Sequence, residues 1–213
     1  LTDFDTVLGS DIICVHTPLT TSGPYPTEHL FSAEVLGRIN PESLLINAGR
    51  GAVIDNAALL ALLESGSPLR VALDVWEGEP SINLSLMEKV ALATPHIAGY
   101  SVEGKVRGTE MLAEAFKQLA DADAETLTEQ PKTVATLTAE TVSELILASY
   151  DVAEDDLRMR SALNASSDVA QAFDLLRKQY PERHEFSRYK FSVETQQAQP
   201  ELIAQALKLG FRE

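Results

Sequence analysis

The chain has 213 residues, and its 32 Asp and Glu against 17 Lys and Arg leave a net charge of -15. That balance excludes nucleic acid and anionic membrane surfaces as partners, because both require a basic face, and it points to solvated surface rather than to a cationic substrate. The one cysteine, Cys14, excludes an internal disulfide and suits a reducing cytosol, so a cytoplasmic protein is expected.

No apolar run approaches the ~20 residues of a membrane helix, and no secretory signal is visible. The chain opens on Leu1 rather than Met, so it is expected to be part of a longer protein. Residues 11–17 are apolar and β-branched, are closed by Pro18, and read as a buried parallel strand. A loop rich in Thr, Ser, Gly and Pro follows over 20–27, then a helix over 28–38 and a second strand over 43–48. Asp55 caps an alanine- and leucine-rich helix that stops near Gly66. Residues 70–76 form a third strand, 85–89 a short helical turn and 90–94 a fourth strand. Ser101 caps a long helix to about Ala120, with Met111, Leu112, Ala115, Phe116 and Leu119 on one face. Strands alternating with helices predict an α/β fold with a parallel sheet.

Residues 1–121 read as one domain, and the polar, acidic stretch 122–132, with Pro131, as a linker. After it the pattern changes. A strand is expected over 133–137, and a helix from Thr138 or Thr141 through Leu145, Ile146 and Ala148. Ser166 or Ser167 starts another helix with Val169, Phe173, Leu175 and Leu176 on it. One or two short strands lie within 186–193, and a helix over 200–209 ends at Gly210. This makes residues 133–213 a small α+β unit of roughly 80 residues.

Three motifs follow strands: Asn47-Ala48-Gly49-Arg50-Gly51, Asp74-Val75-Trp76-Glu77-Gly78-Glu79-Pro80 and Pro95-His96-Ile97-Ala98-Gly99-Tyr100. They set a cation, a carboxylate and an imidazole at the carboxyl ends of successive strands, where open α/β sheets bind ligands. The glycines beside Arg50 permit close backbone approach and unusual φ/ψ values. A guanidinium there can hold a carboxylate in a bidentate fork, or it can pair with Asp55. His96 reads as a general acid/base or as a structural histidine. Glu79 would fix the His96 tautomer, or is a surface-turn acid. Asp74 ends an apolar strand, where an unpaired carboxylate is expensive. It therefore needs a donor, either a local backbone N–H or a ligand amide. No metal is expected.

Together, in this order on one predicted rim, the motifs resemble the D-isomer-specific 2-hydroxyacid dehydrogenases over His16 to about Glu110. The resemblance implies a Rossmann-like parallel sheet, the second half of a dinucleotide-binding domain, with NAD as cofactor. It implies that Arg50 binds the substrate carboxylate and the oxygen being oxidised, that His96 takes the hydroxyl proton, and that Glu79 orients His96. Asp74 would accept from the nicotinamide carboxamide. Thr17, Ala48, Gly49, Arg50 and Gly99 would line the cofactor, and Tyr100 would touch the substrate. A narrower likeness rests on Gly23-Pro24-Tyr25-Pro26, on Trp76-Glu77-Gly78, on Glu103-Gly104-Lys105 and on the appended second domain. It implies a phosphorylated sugar acid as substrate and a homodimer formed through residues 133–213.

The family's G-x-G-x-x-G turn and the acidic residue after it have no counterpart here. They are expected upstream of Leu1 with the substrate lobe, so the 213 residues alone are expected to be inactive. Arg183, His184, Arg188 and Lys190 cluster in an otherwise acidic chain. They form a solvated turn, or Arg183 reaches the substrate phosphate in a partner subunit, with Arg188 as second choice. Two other functions compete. One keeps the chemistry with phosphoglycerate, glycerate or lactate as substrate. The other is a non-catalytic NAD-sensing scaffold, against which the folded pattern of residues 133–213 speaks.

Overall fold

The computed structural model describes residues 2–120, 133–192 and 200–213, so the expected linker lies outside the described residues. In chain order the elements are α1 (Phe4–Leu8), β1 (Ile12–Val15), α2 (Ala33–Leu36), β2 (Leu44–Asn47), α3 (Asn56–Glu64), β3 (Arg70–Leu73), α4 (Leu84–Lys89), β4 (Leu92–Ala93) and α5 (Val102–Ala120). Then come β5 (Ala135–Thr138), α6 (Val142–Ser149), α7 (Val152–Ala165), α8 (Val169–Lys178), β6 (Tyr189–Ser192) and α9 (Pro200–Leu209). They form two compact units, residues 1–98 with 153–180 and residues 99–152 with 181–213.

In the first unit β1 to β4 make a parallel sheet in chain order, with Ile12 beside Leu44, Leu44 beside Arg70 and Ala72 beside Leu92. The expected α/β parallel sheet is present. Its helices start where short polar side chains can cap them. Ser32 accepts from Val35 N–H, Asp55 from Ala58 N–H and Asn83 from Leu86 N–H. Gly66 follows α3 at φ 90°. Leu45, Val71 and Leu73 of the strands share one core with Leu59, Leu86 and Met87 of the helices.

Several elements differ from the sequence expectation. β1 alternates rather than being wholly buried. Ile13 and Val15 face the core, while Ile12 and Cys14 lie on the other face of the sheet and are exposed, as residues on that face of β2 and β3 are also less buried. The helix expected over 28–38 shrinks to α2. His29 N–H donates to Ala52 O and Phe31 pairs with Ile54, so tertiary pairing overrides local propensity. The third strand ends at Leu73, where the chain turns into the candidate site.

The sequence reading has no helix over 152–165. Yet α7 and α8 bury Met159, Leu163 and Phe173 in the core of the sheet. Arg160 Nη2 donates to Val90 O at 3.0 Å, and Asp156 accepts from Ala93 N–H at 2.7 Å. These bonds satisfy backbone groups at the end of α4 and in β4. The packing therefore divides the chain differently from the domain limits of 1–121 and 133–213. Burial of apolar faces sets the units, and part of the expected second domain completes the first core.

The second unit holds a two-stranded parallel sheet of β5 and β6. Ala139, Leu145, Phe191, Ala206 and Phe211 form its core, with Phe186 stacked on Phe211 at 4.6 Å. Of the two threonines offered for α6, Thr141 is the cap and accepts from Glu144 N–H. α8, by contrast, starts from Asp168, which accepts from Gln171 N–H, rather than from Ser166 or Ser167. Ser101 accepts from Gly104 N–H at 3.1 Å and starts α5 as expected. The apolar stripe of α5 at Met111, Leu112, Phe116 and Leu119 is exposed. Among the described residues no helix is long and apolar enough to cross a membrane.

Candidate active site

Asn47 ends β2 and is fully buried. Its Nδ2 donates to Arg50 O at 3.0 Å and its Oδ1 accepts from Gly49 N–H at 3.1 Å, which closes the turn that carries Arg50. A Cβ on Gly49 would lie 3.1 Å from Val15 O. One on Gly51 would lie 2.0 Å from the Trp76 carbonyl carbon, so Gly51 is there for close approach. The close approach expected of these glycines is present, and neither adopts a positive φ. Arg50 is exposed and its Nη1 donates to Gly49 O at 2.7 Å. Asp55, its alternative partner, instead caps α3.

Beyond β3 the chain turns at Asp74, which is 8 % exposed. Its Oδ1 accepts from Thr94 Oγ1 at 2.7 Å and from Ile97 N–H at 2.8 Å, and its Oδ2 from Ala98 N–H at 3.0 Å. Backbone N–H groups of the Ile97–Ala98 turn, distant in sequence, and the Thr94 hydroxyl thus supply donors to Asp74. The same residue's carbonyl accepts from His96 N–H at 2.7 Å. His96 has φ 56°, a conformation that costs a non-glycine residue about 1–3 kcal/mol. The bonds to Asp74 hold it there.

Glu79 Oε2 lies 2.8 Å from His96 Nδ1, and Glu79 Oε1 accepts from Trp76 N–H at 2.6 Å. A carboxylate at Nδ1 places a proton on that nitrogen, so the neutral ring presents Nε2 as its proton acceptor. His96 remains one-third exposed while Glu79 is mostly covered. This is an imidazole with a fixed tautomer at the carboxyl edge of a parallel sheet.

The structure thus brings Arg50, Asp74, Glu79 and His96 to the ends of β2, β3 and β4 within one unit. Gly99, Tyr100 and Arg183 belong to the other unit. There Lys105 Nζ sits 4.4 Å over the Tyr100 ring, and the Arg183 guanidinium 4.7 Å over the Tyr150 ring. Arg188 and His184 both reach Glu103 Oε1 at 3.0 Å. Burial pushes the Glu103 carboxyl up, but the bonds from His184 and from Glu185 N–H outweigh it, and the net shift is downward.

Sequence reasoning missed Asn47, Asn56, Glu77, Thr94 and His29 as supports of this rim. Asn47 and Thr94 carried a signal, since each follows an apolar strand, where a buried polar group requires a partner. His29 and Glu77 lie 48 residues apart in sequence, and nothing local links them.

Fold and rim define a class. Residues 1–98 match the family model described as D-isomer specific 2-hydroxyacid dehydrogenase, NAD binding domain. Residues 124–210 match a model described as a domain of unknown function (DUF3410). Three curated relatives to which the chain is similar are erythronate-4-phosphate dehydrogenases. The chain is 40% identical to erythronate-4-phosphate dehydrogenase of Saccharophagus degradans, over 99% of this chain and 57% of that protein. It is 44% identical to that of Teredinibacter turnerae, over 90% of this chain and 54% of that protein. It is 46% identical to that of Edwardsiella ictaluri, over 84% of this chain and 49% of that protein. The chain spans about half the length of these relatives.

The cofactor of such a domain is NAD. The residues present fit it. Thr17 Oγ1, just past β1, is buried with no hydrogen-bond partner among the described residues. The close approach of Gly49 to the end of β1 keeps side-chain bulk away from the same rim. A polar ligand lying across the strand ends would meet both features.

Proposed function

We propose that this chain is part of an NAD-dependent dehydrogenase that oxidises 4-phospho-D-erythronate to 2-oxo-3-hydroxy-4-phosphobutanoate, in pyridoxal 5'-phosphate biosynthesis. The observation that carries the reading is the Glu79–His96 pair at 2.8 Å, with Nε2 left as acceptor. In this reading Arg50 grips the substrate carboxylate and the C2 oxygen. His96 Nε2 takes the C2 hydroxyl proton, and Glu79 stabilises the imidazolium that results. NAD, when bound, supplies the acceptor for the C2 hydride. Thr17, Ala48, Gly49 and Gly99 line its site. Asp74 keeps one acceptor direction beyond its three protein donors, enough to receive the nicotinamide amide. Tyr100 touches the substrate.

The phosphate requires a cation. Arg183 is the first candidate, reaching from the partner subunit of a cytoplasmic homodimer formed through the C-terminal part, with Arg188 as second choice. An Arg183→Ala enzyme is then expected to show a raised KM for the phosphorylated acid, and an unchanged KM would remove this role.

The test is a rate assay on the full-length protein with NAD and 4-phosphoerythronate, and with 3-phosphoglycerate in parallel. A 2-oxo acid is added as re-oxidant in case NADH stays bound. Turnover of 4-phosphoerythronate that falls about 100- to 10,000-fold in His96→Ala supports both reaction and base. Preference for 3-phosphoglycerate keeps the mechanism and overturns the substrate. NAD binding without turnover of either acid favours a sensing scaffold.

A further inference from the structure

Glu77 is the hub of a clamp beside the candidate base. Its Oε2 accepts from Asn56 N–H at 3.1 Å, and its own N–H donates to Asn56 Oδ1 at 3.1 Å. Asn56 is buried, and its Nδ2 donates to Ile54 O at 2.9 Å. The other oxygen of Glu77, Oε1, meets His29 Nε2 at 2.6 Å. His29 in turn donates its N–H to Ala52 O at 2.8 Å. One carboxylate therefore joins the segments that follow β1, β2 and β3. The contact beneath it is rigid, because Gly51 packs directly on the Trp76 carbonyl.

The consequence reaches Glu79. Trp76 N–H donates to Glu79 Oε1, and Gly78, at φ 79°, turns the chain between Glu77 and Glu79. Displacing residues 76 and 77 would carry Glu79 with them. His96 is fixed separately by Asp74. The 2.8 Å between Glu79 and His96 thus depends on Asp74 on one side and on how residues 76 and 77 are held on the other, Trp76 by its Nε1 bond to Thr94 O at 3.0 Å and Glu77 by its bonds to Asn56 and His29. The donor atoms of His29, Asp55 and Glu77 also lie within 4.8 Å of one another, a spacing open to a metal ion. At 2.6 Å, however, His29 and Glu77 satisfy each other directly, which makes them a bridge rather than a ligand set.

We infer that Glu77 is a positioning residue for the Glu79–His96 pair, acting through its bonds to Asn56 and His29. The inference rests on the dehydrogenase reading for its kinetic consequence and on geometry alone for its structural one.

The test compares Glu77→Ala, Glu77→Gln and His29→Asn in the full-length protein, with two readouts. The first is kinetic. Glu77→Ala is expected to lower kcat by about ten-fold or more with NAD affinity unchanged, since a small misplacement of a reacting group is costly. Glu77→Gln can still accept from Asn56 N–H and donate to a neutral His29, and is expected to recover most of that loss. The second readout needs no turnover. It is the downfield proton resonance of His96 Nδ1–H, assigned by its absence in His96→Ala. It is expected to move or vanish in Glu77→Ala and to persist in Glu77→Gln. His29→Asn tolerates the positive φ and removes only the outer bridge. It is expected to shift the resonance in the same direction by less, and it decides the matter if Glu77→Ala does not fold. An unmoved resonance in Glu77→Ala, or in His29→Asn where only that variant folds, overturns the inference. So does a loss of kcat matched by an equal loss of NAD affinity. A wild-type protein without turnover sinks the dehydrogenase reading instead, and the resonance then decides the positioning role by itself.

Discussion

His29 and His96 are the non-glycine residues at positive φ among those described, and each leans on a carboxylate. For His29 the hydrogen bond to Glu77 is the largest influence and raises its pKa. Partial burial opposes the rise, and the charges of Glu77, Asp55 and Glu28 add to it. A pKa raised on folding means that the charged form favours the folded state. The contribution is whole below the ordinary value of about 6.5 and is lost as pH rises through the higher folded value. The stability gap between wild type and His29→Asn should therefore narrow from pH 6 to pH 9 in chemical denaturation. It should be small throughout, because the ring is partly exposed. Gly51 makes a sharper prediction. A methyl group 2.0 Å from the Trp76 backbone forces two segments apart, so Gly51→Ala should cost about 1–3 kcal/mol and move the Trp76 fluorescence.

At the scale of elements, the first turn of α5 is tied to the segment before β6 by Glu103. Its carboxylate receives His184, Arg188 and the Glu185 N–H, and Val102 N–H donates to Arg183 O at 2.9 Å. Removing that acceptor in Glu103→Ala should destabilise the second unit by about 2–3 kcal/mol, the scale of hydrogen bonds to a charged group. The pKa of Glu103 is lowered on folding, so this contribution is present above the ordinary carboxylate range. It is lost as pH falls through the lowered folded value. Unfolding of the second unit followed from pH 7 to pH 3 in wild type and Glu103→Ala checks both the size and the sign.

At the scale of the whole molecule, the two units are interleaved in the chain. Residues 153–180 return to the core of the sheet although they follow α5, β5 and α6. Phe173 is fully buried there. Phe173→Ala should cost about 3–5 kcal/mol, and the loss should fall on the first unit. Hydrogen exchange read peptide by peptide tests this. Protection should drop across β2 and β3 and stay unchanged across β6. The opposite pattern would return α8 to the second unit.

Much of this protein was legible in its order of residues. β-branched runs at strand length and a capping Asp55 gave the parallel sheet, and Arg50, Asp74, Glu79 and His96 just past those runs marked its candidate edge, because strand ends and caps are local properties. What local pattern could not supply was anything set by contact between distant segments. His29 left the expected helix to bond Ala52, Asp74 turned inward to hold the His96 turn, and Glu77 joined three segments. α7 and α8 joined the first core rather than their neighbours in the chain. Each of these is decided by which apolar face is covered and which buried polar group finds a partner, and both are settled only when the whole chain has folded.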